Sequence, residues 1–191
     1  MRLFVAVEIP SQVRESLAAL IEELQAADPG FSEQRARWVR PGNLHVTLKF
    51  IGHMDAAKLD PIRSELFQVC LDSPVDVAFR GVGFFPNDRR PRVFWVGIKA
   101  STNLAELATE IDRRLEPLGV PRETREFAPH LTLARFEPPG VSPKLQEEIQ
   151  THAKREFGSL HTHEFHLIES KLRREGAEYT TLQSFQFAPE S

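Results

Sequence analysis

Two periods of apolar residues, one of two positions and one of three to four, divide the chain into short elements. Leu3 to Ile9 is rich in β-branched and aromatic residues and halts at Pro10, which predicts a strand. Ser11 then offers an N-cap, and Val13, Leu17, Leu20, Ile21 and Leu24 follow at helical spacing until Asp28-Pro29-Gly30 ends the helix. Arg37-Trp38-Val39 reads as a short strand, Arg40 to Asn43 as a turn, and Leu44 to Ile51 as a strand. A helix is expected from Ala56 to Cys70, with Pro61 near its first turn, where proline is tolerated. The outline then repeats. Val75 to Phe84 and Arg92 to Ile98 predict strands joined by the loop Pro86 to Pro91, followed by a helix from Asn103 to Leu118 and a strand from Leu131 to Phe136. After Pro138-Pro139-Gly140 come a helix from Pro143 to Ala153 and strands over Phe157 to Ser170 and Tyr179 to Phe187, separated by the turn Arg173-Arg174-Glu175-Gly176. Strands interspersed with helices and joined by short polar turns predict an α+β protein with mainly antiparallel sheets.

Composition narrows the function classes. The chain has 191 residues, 41% hydrophobic and 27% charged, which is enough for a core without covalent staples. A net charge of -3 provides no global positive field for coating long nucleic acid, while leaving room for an enzyme that recognises one nucleotide or one RNA end. The single cysteine, Cys70, excludes an intrachain disulfide and a thiolate-rich zinc cluster. The opening MRLFVAVEIP meets Glu8 and Pro10 too soon to make a signal segment or a membrane span. The expectation is a soluble, cytoplasmic, monomeric protein with no membrane association. The proline-rich turns read as punctuation rather than linkers, so residues 1–191 are expected to form one domain.

One pattern calls for chemistry. NLHVTLKFIG begins at Asn43, and APHLTLARFE begins at Ala128; each places His-x-Thr-Leu in an apolar strand. Residues i and i+2 of a strand share a face, so His45 pairs with Thr47 and His130 with Thr132, while the intervening apolar residues enter the core. If the two halves are related by an approximate two-fold axis, the four polar side chains converge on one cleft. With an ordinary imidazole pKa near 6.5, one histidine can remove a proton while the other delivers one. The threonine hydroxyls can hold the oxygens of an anionic tetrahedral centre, and a phosphodiester fits such a site without any metal. A lone histidine in an apolar strand is ordinarily structural; the repeat with threonine at the same offset points to a pair with a function.

The doubled motif resembles the signature of the two-histidine (2H) phosphoesterases, and within them the RNA 2′,3′-cyclic phosphodiesterases historically called 2′-5′ RNA ligases. The likeness extends over nearly the whole chain: RLFVAVEIP, WVRPGNLHVTLKFIG, GVGFFPNDRRPRVFWVGI, FAPHLTLAR and ESKLRREGAEYTTLQSF occur in the family's order. The resemblance implies a bilobal fold of two intertwined lobes, each an antiparallel sheet with helices on its outer face, and an active cleft between them. It also implies hydrolysis of a terminal 2′,3′-cyclic phosphate, on RNA 3′ ends or small nucleotides, to a 2′-phosphomonoester without a cofactor. By position, His45 matches the proton donor to the departing 3′ oxygen, His130 the base that activates water, and Thr47 and Thr132 the phosphate-holding threonines. The near-symmetric motifs do not assign those roles by themselves.

Phe50 and Arg135 each follow their histidine by five positions. Phe50 could stack on the terminal base or lie in the core, and Arg135 could pair with phosphate. Strict alternation turns both away from the histidines, so reaching the cleft requires a bulge or a position at its rim. The run from His161 to His166 reads as a solvated strand edge rather than a metal site, because His166 points away from His161 and His163 and no cysteine accompanies them. Arg35, Arg37 and Arg40, then Arg89, Arg90 and Arg92, and Arg122 with Arg125 either form a rim that attracts RNA or are ordinary solvated charges. Two other readings remain: a nucleotide- or RNA-binding module without chemistry, and 2′-5′ ligation as the main activity. Matched acid and base speak against the first. Strain in the cyclic ester and the absence of a GxxxxGKS loop speak against the second.

Overall fold

The computed structural model describes residues 1–173 and 176–189. With strands numbered in chain order, one antiparallel sheet runs β3 (His45–His53), β1 (Arg2–Glu8), β8 (Glu164–Arg173), β9 (Gly176–Gln186). The other runs β2 (Ala36–Trp38), β6 (His130–Phe136), β5 (Val93–Ala100), β4 (Val75–Phe85), β7 (Glu156–Thr162). Five α-helices accompany them among the described residues: α1 (Ser11–Ala27), α2 (Pro29–Arg35), α3 (Leu59–Phe67), α4 (Asn103–Leu115) and α5 (Pro143–Thr151). This is the expected α+β architecture of two antiparallel sheets. Each motif strand lies in a different sheet, and β3 and β6 approach one another.

The apolar period accounts for how these elements pack. In α1 the five periodic residues Val13, Leu17, Leu20, Ile21 and Leu24 are buried, and the helix lies on β7 and α5. In β1, Leu3, Val5 and Val7 join a core that also holds Phe79 and Phe94 of the second sheet and Leu107 and Ile111 of α4. Each such side chain taken from water contributes about 1.5–3 kcal/mol. Phe4, Ala6 and Ile168 form a separate small cluster with Tyr179. No helix among the described residues is long and apolar enough to cross a membrane.

Two elements depart from the sequence pattern. Asp28-Pro29-Gly30 ends α1 but also begins α2: the Asp28 carboxylate accepts the Phe31 N–H at 3.2 Å, and Pro29 occupies a first-turn position where its missing donor costs nothing. The apolar run from Phe157 to Ser170 is two strands, not one. The chain leaves the second sheet after Thr162 and enters the first at Glu164, with the Thr162 hydroxyl accepting the Glu164 N–H at 3.2 Å. Hydrophobic runs continue through such a corner because both strands face core. Arg174 and Glu175 of the expected final turn lie outside the described residues.

Candidate active site

In β3 the alternation holds for four residues: Val46 and Leu48 are buried, His45 and Thr47 half-buried. It then breaks. Ala6 of β1 pairs with Thr47, but the next partner, Val5, pairs with Lys49, so Leu48 is an extra residue. This β-bulge reverses the parity of the strand, and Phe50, opposite Phe4, emerges on the face of His45 and Thr47. Strand β6 repeats the device. Trp95 pairs with Thr132 and Phe94 with Ala134, leaving Leu133 as the extra residue and returning Arg135 to the face of His130 and Thr132. Leu48-Lys49 and Leu133-Ala134 are accordingly consecutive buried pairs. Strict alternation is overturned at both i+5 positions. Phe50 is 64% exposed, so its core alternative is overturned as well.

The two imidazoles are held alike. His45 Nδ1 lies 2.7 Å from the carbonyl oxygen of Asn43, and His130 Nδ1 lies 2.8 Å from that of Ala128. A carbonyl only accepts, so each Nδ1 carries a proton and each Nε2 is left as the group that gains or loses one. Asn43 is itself fixed, its side-chain amide donating to the Ala177 carbonyl at 2.7 Å. Neither threonine hydroxyl has a hydrogen-bond partner among the described residues. The surroundings of the histidines differ. The His45 ring lies 4.7 Å from the Phe4 ring and 5.3 Å from Tyr179, centroid to centroid, while His130 meets the edge of Phe85 at 5.0 Å. Burial among these rings pushes the His45 pKa below the usual imidazole value, against the opposing pull of the Asn43 carbonyl and the Glu8 carboxylate.

The family model of the 2′-5′ RNA ligase superfamily matches residues 7–174. The chain belongs to this superfamily. An RNA 2′,3′-cyclic phosphodiesterase of Archaeoglobus fulgidus is 35% identical over 186 residues, covering 97% of this chain and 100% of that protein. A protein of the same name from Methanocaldococcus jannaschii is 32% identical over 185 residues, again 97% and 100%. Among solved structures, one from Thermus thermophilus is similar at a TM-score of 0.78 and 29% identity, over 98% of both chains. E. coli LigT complexed with 3′-AMP is similar at a TM-score of 0.73 and 25% identity, over 97% of both.

In this member of the superfamily several neighbours of the motifs come from distant elements and escaped sequence reasoning. Phe4 and Tyr179 line a cavity of about 180 Å³ with Arg2, Ser170, Leu172 and the anticipated Phe50. Burial raises the Tyr179 pKa, while the charges of Arg2 and of Arg135 oppose the shift. Trp95 lies across Gly83, where an added Cβ would collide with the indole. Lys49, at the bulge of β3, is buried and bonded to Asp112 of α4 and to the Pro121 carbonyl. Cross-strand register and tertiary packing gather these residues, and no local spacing announces them.

The remaining sequence candidates separate. His161 fits a solvated edge, paired with Asp76 at 2.7 Å. His166 does not: it is 6% exposed and lies 2.9 Å from the Ser184 hydroxyl, because the sheet change places it on the inner strand β8. Among the described residues no three His, Cys, Asp or Glu side chains gather as metal ligands. Arg122 pairs with Asp112, Arg125 with Glu123 and Arg37 with Glu137, whereas Arg89, Arg90 and Arg92 have no ion pair among the described residues.

Proposed function

We propose that this protein hydrolyses 2′,3′-cyclic phosphates at RNA 3′ ends or on small nucleotides to 2′-phosphomonoesters, without a metal, by acid–base catalysis between His45 and His130. The observation that carries the reading is the matched presentation of the two histidines. Each imidazole is locked by an Nδ1–H bond to the carbonyl two residues earlier, each frees its Nε2, and each shares a strand face with a threonine hydroxyl that has no partner among the described residues. A binding site has no need of two such nitrogens.

The scissile phosphate lies between the strands, its oxygens accepting from Thr47, Thr132 and the Arg135 guanidinium. His130 Nε2 takes a proton from water as the oxygen–phosphorus bond forms. The bond from phosphorus to the 3′ oxygen breaks, and His45 Nε2–H delivers a proton to that oxygen. One feature supports this direction. The aromatic cavity of Phe4, Phe50 and Tyr179 adjoins His45, so a base stacked there would bring its ribose, and hence the departing oxygen, to that side. Residues 1–191 act in this reading as one domain, since both halves supply half of the site.

The test uses an RNA oligonucleotide ending in 2′,3′-cyclic phosphate, in EDTA, with wild type, His45→Ala and His130→Ala. Conversion to the 2′-phosphate by wild type should persist in the chelator and fall in each variant by roughly 10²–10⁴-fold. Binding of the same RNA without turnover at any pH would refute the hydrolase reading.

A further inference from the structure

One basic segment of the rim is not used by the chemistry above. Across the face of the second sheet that carries His130, register places Phe85, Val93, Arg135 and Arg37 side by side on β4, β5, β6 and β2. Thr132 and then His130 occupy the next positions along β6. Immediately beyond Phe85, the β4–β5 loop carries Arg89, Arg90 and Arg92. All three are exposed and without an ion pair among the described residues, and Asp88 in the same loop pairs with none of them. The loop is braced: Asn87 Oδ1 accepts from the Arg89 and Arg90 N–H groups at 3.0 and 3.2 Å. The Arg92 N–H donates to the Phe85 carbonyl at 2.8 Å, and the Pro91 carbonyl accepts from Gly140 at 2.9 Å. The other end of the row is less hospitable to a polyanion, because Arg37 is engaged by Glu137 at 2.8 Å and a hollow there is also lined by Glu33.

We propose that Arg89, Arg90 and Arg92, with the exposed ring of Phe85, form a track for the single-stranded RNA that precedes the terminal nucleotide, so that the protein selects RNA ends over mononucleotides. The proposal rests on the hydrolase reading for where the terminal nucleotide sits, and adds a second binding region to it. Three cations with no carboxylate partner among the described residues form a local positive edge on a chain whose net charge is -3. Phe85 is 37% exposed and touches His130 at 5.0 Å, so one aromatic ring links the catalytic position to the basic loop. Phosphates alternating with stacked bases are the chemistry that such an edge takes.

The experiment compares uridine 2′,3′-cyclic phosphate with a six-nucleotide oligouridylate bearing the same terminus, over a series of potassium chloride concentrations, for wild type and the double variant Arg89→Ala/Arg90→Ala. Wild type should prefer the oligonucleotide, with a preference that shrinks as salt rises. The variant should lose about tenfold in kcat/KM on the oligonucleotide alone. Its salt slope should flatten by roughly 1.4 if each arginine holds one phosphate. Equal rates on both substrates in wild type, or an equal loss on both in the variant, would overturn the track. If neither substrate is turned over, the hydrolase reading fails, and the track is judged by fluorescence anisotropy of the labelled oligonucleotide ending in a 3′-phosphate. Weaker binding by the variant then supports it, and unchanged binding overturns it.

Discussion

The two motif histidines are equivalent in their hydrogen bonds and unequal in their neighbours. Asn43 and Ala128 orient the rings in the same way, so orientation does not distinguish donor from acceptor. What sets the two apart is their surroundings: Phe4, Tyr179 and Glu8 neighbour His45, and Phe85 neighbours His130. The Glu8 carboxylate favours the imidazolium, and Glu8→Gln should lower the His45 pKa further. If His45 is the acid, kcat/KM then falls at the alkaline end of the profile and stays unchanged at the acid end. If His45 is the base, the variant instead gains rate at the acid end, so one pH series separates the roles. The same shift bears on stability. The folded-state pKa of His45 lies below its unfolded value, so its contribution is fully present above about pH 6.5 and is lost as pH falls through the folded pKa.

At the scale of elements, the bulges of β3 and β6 bring Phe50 and Arg135 to the faces of the two histidines, and a buried ion pair sits on one of them. Lys49 reaches from the bulge of β3 to Asp112 of α4. Asp112 also accepts the Glu123 N–H at 3.2 Å and the Arg122 side chain at 3.4 Å, in the segment that leads to His130. Burial raises the Asp112 pKa, but the Lys49 ammonium and these donors outweigh it and hold the carboxyl below its usual range. A buried pair is costly to halve. Lys49→Met alone should destabilise by about 3–5 kcal/mol, and Lys49→Met/Asp112→Leu should recover much of that loss, as read from urea midpoints. A single variant as stable as wild type would show that the pair is not coupled to folding. The strand, helix and His-x-Thr alternation were legible because period and packing agree there. Phe50 and Arg135 were only half legible: the five-residue offset could be read, but the parity change at Leu48 and Leu133 depends on pairing with β1 and β5.

At the scale of the molecule, the core decides how many units unfold. Apolar residues of both sheets and of α1, α3, α4 and α5 form one continuous cluster. Calorimetry should therefore show one transition whose van't Hoff and calorimetric enthalpies agree; two resolved transitions would mean that the halves fold separately. By itself, the sequence determined the elements with strong periodicity, the α+β class, and the face-sharing of His45 with Thr47 and of His130 with Thr132, because those follow from local geometry. Tertiary structure alone decided the change of sheet at His163, the burial of His166, the emergence of Phe50 and Arg135, the aromatic wall beside His45 and the Lys49–Asp112 pair. Each of these depends on which strands pair and in what register. That choice minimises the free energy of the whole core, and no local stretch of the chain carries it.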